Sequence, residues 1–569
     1  EIFRGDFRRI CEVKKAVLHL EAIYFCHGTC YLLKRENMPI KDQLALYQRI
    51  ELIPQSTTEF FENNRECIIN NWPEESALAA KPEILYDALL ASEFCVQPER
   101  VGYKIDKVSR DIAGAYYTSS DFSAQITYRA LENYMDRKRR RAIDSDSFAC
   151  CNEYENITFL DYSCGCGEFL LAVIQYFDNH VLGYSRKKLA TQLRGVDVNP
   201  IALMITIARI VSAVEAEDDE NLLREVAKNF IVGNPLLHID KIAPLEVRFD
   251  NFALNRLYAE TEGINCLELE QQNLVVLGNP PWEKLRFEER AFFRPVCPAI
   301  SAISQKNKRE KEIKKLAVNW LELLEYYQLL QDDYASVKKE IPKHPLLKVS
   351  LVGELNTYAM FAELASRLTE KDGFAAIIVK SALVTSTCYS SCFRHFVNQG
   401  SLSEVFLFDN REKLFQIDSR EKFCVLFFGG EHAGGIKVHY GLTKQEQILS
   451  SVPINVTSEE LELINPETGL LPNVADSKEF SFLLRTHRSL SVFAKEFPKC
   501  HFGRLVHLTA HAEHISTKSE KTRVPIYEGK FIEQYDNRFS TFAGMSADER
   551  YQAKASARRQ PGDSFVAPK

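Results

Sequence analysis

The apolar run Leu274-Val275-Val276-Leu277-Gly278 is stopped one residue later by two consecutive prolines, Pro280 and Pro281, and that stop constrains the fold more than any other feature. Proline has a fixed φ and no N–H, so neither a sheet ladder nor a helix runs through such a pair. The run therefore reads as a buried strand that turns at once into a stiff, extended lip, Asn279-Pro280-Pro281-Trp282. The lip carries an amide, two bare carbonyls and an indole. An amide oxygen and a carbonyl accept hydrogen bonds from an exocyclic amine, while an indole stacks on a ring. The pattern suits a grip for an amino-bearing base; a rigid strand-end turn with a core tryptophan is the structural alternative.

A second segment, Thr158 through Ile174, reads as a strand, a glycine turn and an amphipathic helix. Gly165 and Gly167 let the backbone turn tightly and approach a ligand without a Cβ in the way, and the turn delivers that ligand to a helix N-terminus. The dinucleotide pattern needs a third glycine three residues later, which is absent. Two glycines with Asp161 four residues ahead suit a cofactor carrying a cationic amino-acid tail. Leu193 through Asp197 is the next strand. An acid there is placed to take ribose hydroxyls, or to cap the helix that Asn199 or Pro200 begins. At a third strand end, Ile231 through Leu237, Asn234 is placed to reach an adenine ring or to make a plain Asn-Pro turn.

These segments resemble, in order, the motifs of gamma-class adenine-N6 DNA methyltransferases, which use S-adenosylmethionine. Gly114-Ala115-Tyr116-Tyr117-Thr118-Ser119 is similar to the family's G-x-Y-Y-T-P, with Ser119 where proline is usual. Asp161-Tyr162-Ser163-Cys164-Gly165-Cys166-Gly167 is similar to D-P-A-C-G-S-G; the acid, first cysteine and both glycines are kept, while Tyr162, Ser163 and Cys166 depart from it. Downstream, Gly353 to Glu363, Asp409 to Phe415 and Pro525 to Asp536 look like later segments of type IIG restriction–modification enzymes and related phage-defence methylases. The resemblance runs from about residue 100 to 540.

It implies a Rossmann-like class I methyltransferase sheet, of α/β class, with an N-terminal helical region and a C-terminal mixed target-recognition domain. By the same resemblance Ala115, Tyr116, Tyr117, Thr118, Asp161, Ser163, Cys164, Gly165, Gly167, Phe169, Asp197, Val198, Asn234 and Asn279 are cofactor residues. Asn279, Pro280, Pro281 and Trp282 are the catalytic lip that holds a flipped-out adenine. Double-stranded DNA is the implied partner, with a nuclease, helicase or translocase of a defence system as further partners. Two other readings share parts of the pattern. An RNA or protein-glutamine methyltransferase has the glycine turn and lip, but the long insert and the Tyr527-Glu528-Gly529-Lys530 box favour duplex DNA. A recognition subunit that has lost its cofactor would not need Asp161, Gly165, Gly167, Asp197 and Asn279.

At 569 residues the chain exceeds one core and should divide. We expect a helical connector over 1–108, a catalytic domain over 109–430 with a helical insert at 283–350, and an incomplete target-recognition region over 431–569. Phe423 to Phe428 is expected to be the last buried strand. Glu12-Val13-Lys14 matches a fragment of a nuclease signature but reads as a surface helix. No apolar run is long enough to span a membrane and the start shows no signal segment. Fifteen scattered cysteines without a paired C-x-x-C array suit a reducing cytoplasm and no zinc. None of Cys164, Cys166 or Cys297 follows a proline, as a cytosine-C5 nucleophile would. His501, His507, His511 and His514 lack metal-ligand spacing. A net charge of −7 argues against nonspecific nucleic-acid coating but not against a local basic face. The cationic runs 137–141 and 306–315 are expected to be solvated helix faces or loops; Asp144 to Ser147, after the first run, reads as a flexible loop, and no DNA contact is assigned to that run. Beginning at Glu1 without methionine and stopping soon after the last motif, the chain is expected to be a fragment.

Overall fold

The computed structural model describes residues 7–35, 38–70, 92–96, 101–105, 118–144, 154, 156–237, 248, 273–370, 372–429, 435–499, 506–507, 510–515, 540–541 and 557–558. Ala115, Tyr116, Tyr117 and the Pro525–Asp536 box lie outside them. The chain forms two compact units, Glu1–Ser489 and Leu490–Lys569.

The first unit is built on a nine-stranded sheet. A separate antiparallel hairpin precedes it, β1 (Ser92–Val96) and β2 (Val101–Ile105). The sheet strands are β3 (Thr158–Asp161), β4 (Leu193–Asp197), β5 (Phe230–Val232), β6 (Leu274–Gly278), β7 (Phe374–Lys380), β8 (Leu402–Asp409), β9 (Lys422–Phe428), β10 (Ile436–Leu442) and β11 (Ile454–Val456). Their spatial order is β11-β10-β8-β9-β7-β6-β3-β4-β5. Strands β5, β4, β3, β6 and β7 run parallel, β9 enters antiparallel between β7 and β8, and β10 is parallel to β8. This is the α/β, Rossmann-like sheet expected, with helices Phe7–Leu32, Ile40–Arg49 and Gln55–Asn70 ahead of it.

Local chemistry sets the elements. Leu274 to Leu277 are wholly buried, so the strand has neighbours on both faces, and a continuous apolar run rather than an alternating one follows. Helix Pro200–Ala213 starts as expected: the Asn199 side chain accepts from Ile201 N–H, and Pro200 fills the first turn, where its missing donor costs nothing. Its buried flank lies against Phe7–Leu32, with Cys26 Sγ 3.6 Å from Met204 Sδ. Ser119, standing where the family pattern has proline, caps helix Ser120–Asp144 through the Phe122 N–H.

Three features differ from expectation. The hairpin β1–β2 was not foreseen in a helical N-terminal region. The sheet does not end at Phe428: β10 adds to β8 and β11 to β10. Buried Glu404 helps explain the extension. It accepts from Arg129 and Asn133 of the helix beneath and pairs with His439 of β10 at 2.9 Å, so the polar side chains of this edge find partners inside the sheet. The 137–141 run, which lies in helix Ser120–Asp144, is not wholly solvated. Arg137 is only 7% exposed, and its guanidinium donates to the carbonyls of Asp372, Gly373 and Gly429, fastening the starts of β7 and the end of β9.

Between β6 and β7 the chain makes helices Glu289–Val296, Pro298–Ser301, Lys306–Asn319 and Leu321–Glu340, with a small core of Phe293, Ile300, Ile313, Leu316, Leu323 and Tyr327. The second unit is described over fewer residues: helix Phe493–Glu496, a turn at Ala512–His514 and the paired Ser540–Thr541 and Ala557–Arg558. There His511 Nδ1 accepts the His507 N–H at 3.1 Å, and His507 Nδ1 accepts that of Ala510 at 3.2 Å. His501 lies outside the described residues.

Candidate functional site at the carboxyl ends of β3, β4, β5 and β6

From β3 the chain winds outward through β4 and β5, then returns to place β6 on the opposite side of β3. The crevice at such a switch point, beyond the carboxyl ends of the strands, is where open α/β sheets bind ligands.

The glycine turn leaves β3 there. Gly165 and Gly167 have φ of +50° and +85°, a region that other residues enter only with strain. Their roles differ. A Cβ on Gly167 would lie 2.8 Å from Thr206 Cγ2, so the turn is pressed against helix Pro200–Ala213. A Cβ on Gly165 would meet nothing within 4 Å, leaving a backbone bend that opens onto free space. Thr206 Oγ1 donates to Gly165 O at 2.7 Å, and Arg209 Nη1 donates to Cys166 O at 2.6 Å while pairing with Glu168 at 2.7 Å. Helix Pro200–Ala213 thus fixes the turn from below.

Two carboxylates shape the turn. Asp161 is 2% exposed, and its Oδ1 accepts the Ser163 N–H at 3.0 Å. It sits so close to β6 that a Cβ on Gly278 would lie 2.7 Å from Oδ1, which is why the strand before the lip ends in glycine. Burial, helped by the nearby Asp197 charge and opposed by the Ser163 N–H, pushes the Asp161 carboxyl up to about 8. Asp197 accepts from Gly165 N at 2.9 Å and from Asn199 N at 2.8 Å, tying the turn to the start of the next helix; burial raises its carboxyl as well. It does not cap that helix, since Asn199 does. Beside it Val198 stands 50% exposed, an apolar face with solvent over it. Ser163 Oγ is buried and has no partner among the described residues.

Across the crevice is the lip. Asn279 Nδ2 donates to Thr118 Oγ1 at 3.1 Å, joining the G-x-Y-Y-T segment to the lip across 161 residues of chain. Thr357 Oγ1 donates to the carbonyls of Pro281 (2.6 Å) and Glu283 (3.0 Å) and accepts the Glu283 N–H (3.1 Å). The Pro280 carbonyl has no hydrogen-bond partner among the described residues. Trp282 departs from its expected place. The indole is 5% exposed, donates from Nε1 to Ile378 O at 3.2 Å, and is covered by Phe415 (5.2 Å, edge-on) and Phe423 (6.0 Å, stacked). It supports the lip from inside the core instead of offering an open face.

Asp161, Ser163, Gly165, Gly167, Asp197, Val198, Asn279 and Thr118 thus gather at one end of the sheet. Asn234 follows β5 at the same end, with its Oδ1 committed to the Leu236 N–H at 3.1 Å. Cys164 and Phe169 are turned into the core, at 5% and 3% exposure, and burial raises the Cys164 thiol well above its ordinary value. Sequence reasoning missed Thr357, Thr206 and Arg209, which hold the lip and the turn, and Glu283, whose carboxyl burial pushes up to about 8. Thr357 alone had a signal, since it lies inside the Gly353–Glu363 box. That box has a second function here. Buried Glu363 accepts from the N–H groups of Lys348, Val349 and Ser350 (2.9–3.0 Å) and from Ser350 Oγ (2.7 Å), pinning the end of the insert.

No protein-family model matches the chain, and the search of curated proteins finds no match. Among solved structures the chain is similar in fold to the DrdV–DNA complex (11% identity, 79% of this chain and 45% of that one, TM-score 0.37). It is also similar to the ATP-dependent type ISP restriction–modification enzyme LlaBIII bound to DNA (10%, 77% and 27%, TM-score 0.40). A third likeness is to the methyltransferase subunit of a type I restriction–modification system from Streptococcus thermophilus (11%, 85% and 90%, TM-score 0.29). The chain spans less than half the length of the first two. Among the described residues no helix is long and apolar enough to cross a membrane.

Proposed function

We propose that the chain is an S-adenosylmethionine-dependent DNA methyltransferase acting on the N6 amine of a flipped-out adenine, within a restriction–modification or phage-defence system. The observation that carries this reading is the placement of the Asn279 lip at the end of β6 beside the glycine turn at the end of β3. An amine acceptor and a bend open to a ligand then face one crevice.

The residues fit the cofactor. The open side of Gly165 and the orphan Ser163 hydroxyl form a cradle at a helix N-terminus. Asp161 suits the cationic amino-acid tail, Asp197 the ribose hydroxyls, and the exposed face of Val198 a planar ring. S-adenosylmethionine, when bound, supplies an electrophilic methyl group. The chain's own part is positioning. Thr118 engages the Asn279 amide nitrogen, so the amide oxygen and the Pro280 carbonyl are the acceptors for the two amino hydrogens. Accepting them draws the amine lone pair out of ring conjugation and fixes its direction, the kind of preorganised polar contact that lowers a barrier without reorganisation. Extruding the base costs a few kcal/mol.

Incubation of the chain with labelled cofactor and unmethylated genomic DNA, followed by nucleoside analysis, tests the proposal. N6-methyladenine is the expected product. Label in RNA or in protein glutamine would overturn it in favour of those substrates, and absence of cofactor binding by calorimetry would make the chain a recognition subunit.

Asp161 gives the site a pH signature. Its folded value of about 8 lies above that of an unfolded aspartate, about 3.9. The stability it contributes is therefore complete below about pH 4 and is lost as pH rises towards about 8, because the unfolded chain ionises first. Urea unfolding between pH 5 and 8.5 should show this decline, and Asp161→Asn, which keeps an acceptor for Ser163 N–H, should flatten it. An equal slope in both proteins would remove Asp161 as its source. A cationic ligand favours the ionised carboxylate, so cofactor affinity should rise over the same window.

Asp197→Asn should leave the fold in place, since one amide oxygen can still accept a backbone N–H. It should weaken cofactor binding by roughly 1–3 kcal/mol through loss of the charged acceptor. Calorimetry showing an unchanged Kd would confine Asp197 to holding the Gly165 turn.

A further inference from the structure

We infer that the outer face of helix Lys306–Asn319 is a docking surface for the phosphate backbone of duplex DNA next to the lip. The inference rests on the proposed DNA substrate. The helix carries six cationic and two acidic side chains, a local net charge of +4 in a chain whose total is −7. Arg309, Ile313 and Leu316 face inward. The opposite face presents Lys308, Lys311, Lys314 and Lys315, all exposed. Lys308, Lys311 and Lys315 recur at i, i+3 and i+7, so they form a row along the helix with Lys314 beside it.

Ion pairs do not use up this charge. Lys306 pairs with Glu310 and Lys315 with Glu312, whereas Lys308, Lys311 and Lys314 have no ion pair among the described residues. Helix Leu321–Glu340 next to it has the opposite balance, five acids against two lysines, so the cationic excess is confined to Lys306–Asn319.

The helix is also held in place, as a docking surface must be. Arg309 Nε pairs with Glu289 Oε1, Arg309 Nη1 donates to Ile303 O at 2.8 Å, and Tyr327 OH donates to Glu289 Oε2 at 2.6 Å. Glu289 lies seven residues beyond Trp282, a chain span of at most about 25 Å. The lysine row lies on the far side of the helix, roughly 10 Å further out, so it stands at most about one turn of duplex, roughly 34 Å, from the lip, and a duplex that extends a turn past the target base can reach it. The approach is fixed at both ends. Lys284 and Arg286 pair with Glu354 after the lip, and Glu363 pins residues 348–350 at the far end of the insert. The lysines contact phosphates and carry no base information.

The 569-residue chain with Lys308, Lys311 and Lys314 all changed to Gln tests this, against a control with the exposed Lys228, Lys437 and Lys478 changed to Gln. Glutamine keeps the helix propensity of lysine. Binding of a 30-base-pair duplex is titrated across salt concentrations, with cofactor calorimetry in parallel. Each lost phosphate contact lowers the slope of log affinity against log salt by about 0.9, so the slope should fall by roughly 2–3 in the helix variant and hardly in the control. Equal slopes in wild type and helix variant overturn the inference, as does an equal fall in the control, which would mean a diffuse field. Stronger salt-dependent competition by an RNA hairpin than by duplex DNA would also overturn it. Cofactor binding with an unchanged slope sinks this surface alone; a changed slope without cofactor binding sinks the methyltransferase reading alone.

Discussion

Asn279→Ala should lower methyl transfer by at least about 10²-fold, the loss seen when one preorganised polar contact to a developing charge is removed. It should leave the affinity for S-adenosylmethionine nearly unchanged. The separation follows from geometry. The cofactor cradle is made by the turn after β3 and by Asp197 after β4, with Asp161 close to Gly278, whereas the Asn279 side chain makes no hydrogen bond to that turn among the described residues and is held through its amide nitrogen by Thr118, which leaves its oxygen for the amine. Single-turnover rates at saturating duplex report the chemical step, and calorimetry reports the cofactor. Thr118→Val, which removes the hydroxyl anchoring the amide nitrogen, should give a smaller loss in the same rate, because the acceptor oxygen is then present but free to rotate. Full turnover in the alanine variant would remove the lip from the reaction. Parallel losses of rate and of cofactor affinity would place Asn279 in the cradle instead of at the amine.

The parts of this site that were legible in the sequence are those set by local backbone chemistry. A positive-φ turn needs glycine, a double proline ends a strand, and Asn before Pro starts a helix; Gly165, Gly167, Pro280, Pro281 and Asn199 announce themselves accordingly. Alternating strands and helices announce a mostly parallel sheet, though not the antiparallel entry of β9 between β7 and β8, and β6 could be read as buried from its composition alone.

What stayed hidden depends on partners distant in the chain. Arg137 sits in a run of five cations that looks solvated, and only the carbonyls of Asp372, Gly373 and Gly429 make it interior. The extra strand β10 alternates polar and apolar residues weakly, and its His439 is understandable only against Glu404 of β8. The Asp409–Phe415 box resembled a family segment without revealing a physical purpose. In the structure Asn410 closes a loop on Phe415, donating to its carbonyl at 2.9 Å and accepting its N–H at 3.0 Å. That closure sets the Phe415 ring against Trp282. A residue in the lip is therefore packed by a box some 130 positions downstream, which no local pattern could disclose.

Trp282→Ala should therefore cost stability first, by about 3–5 kcal/mol, the usual loss for emptying the site of a large buried aromatic. A domain's total is only about 5–15 kcal/mol, so the urea midpoint should shift visibly. Trp282→Phe keeps a ring between Phe415 and Phe423 but strands the Ile378 carbonyl at the end of β7, which should cost about 1–3 kcal/mol. The consequence for activity follows from the same packing. Residues Asn279 to Trp282 are one short extended segment, anchored at one end by β6 and at the other by the indole and by Thr357. Emptying the indole site should slacken the segment and displace the Asn279 oxygen, so that alanine loses rate even under conditions where it remains folded, while phenylalanine retains most of it. Base extrusion can be followed separately with 2-aminopurine at the target position. If the indole acts only as support, the fluorescence rise on binding persists in the phenylalanine variant and falls in the alanine variant together with stability. A loss of extrusion in the alanine variant at an unchanged urea midpoint would mean that Trp282 swings out of the core to stack on the base, and that the covered arrangement is the resting state of the lip.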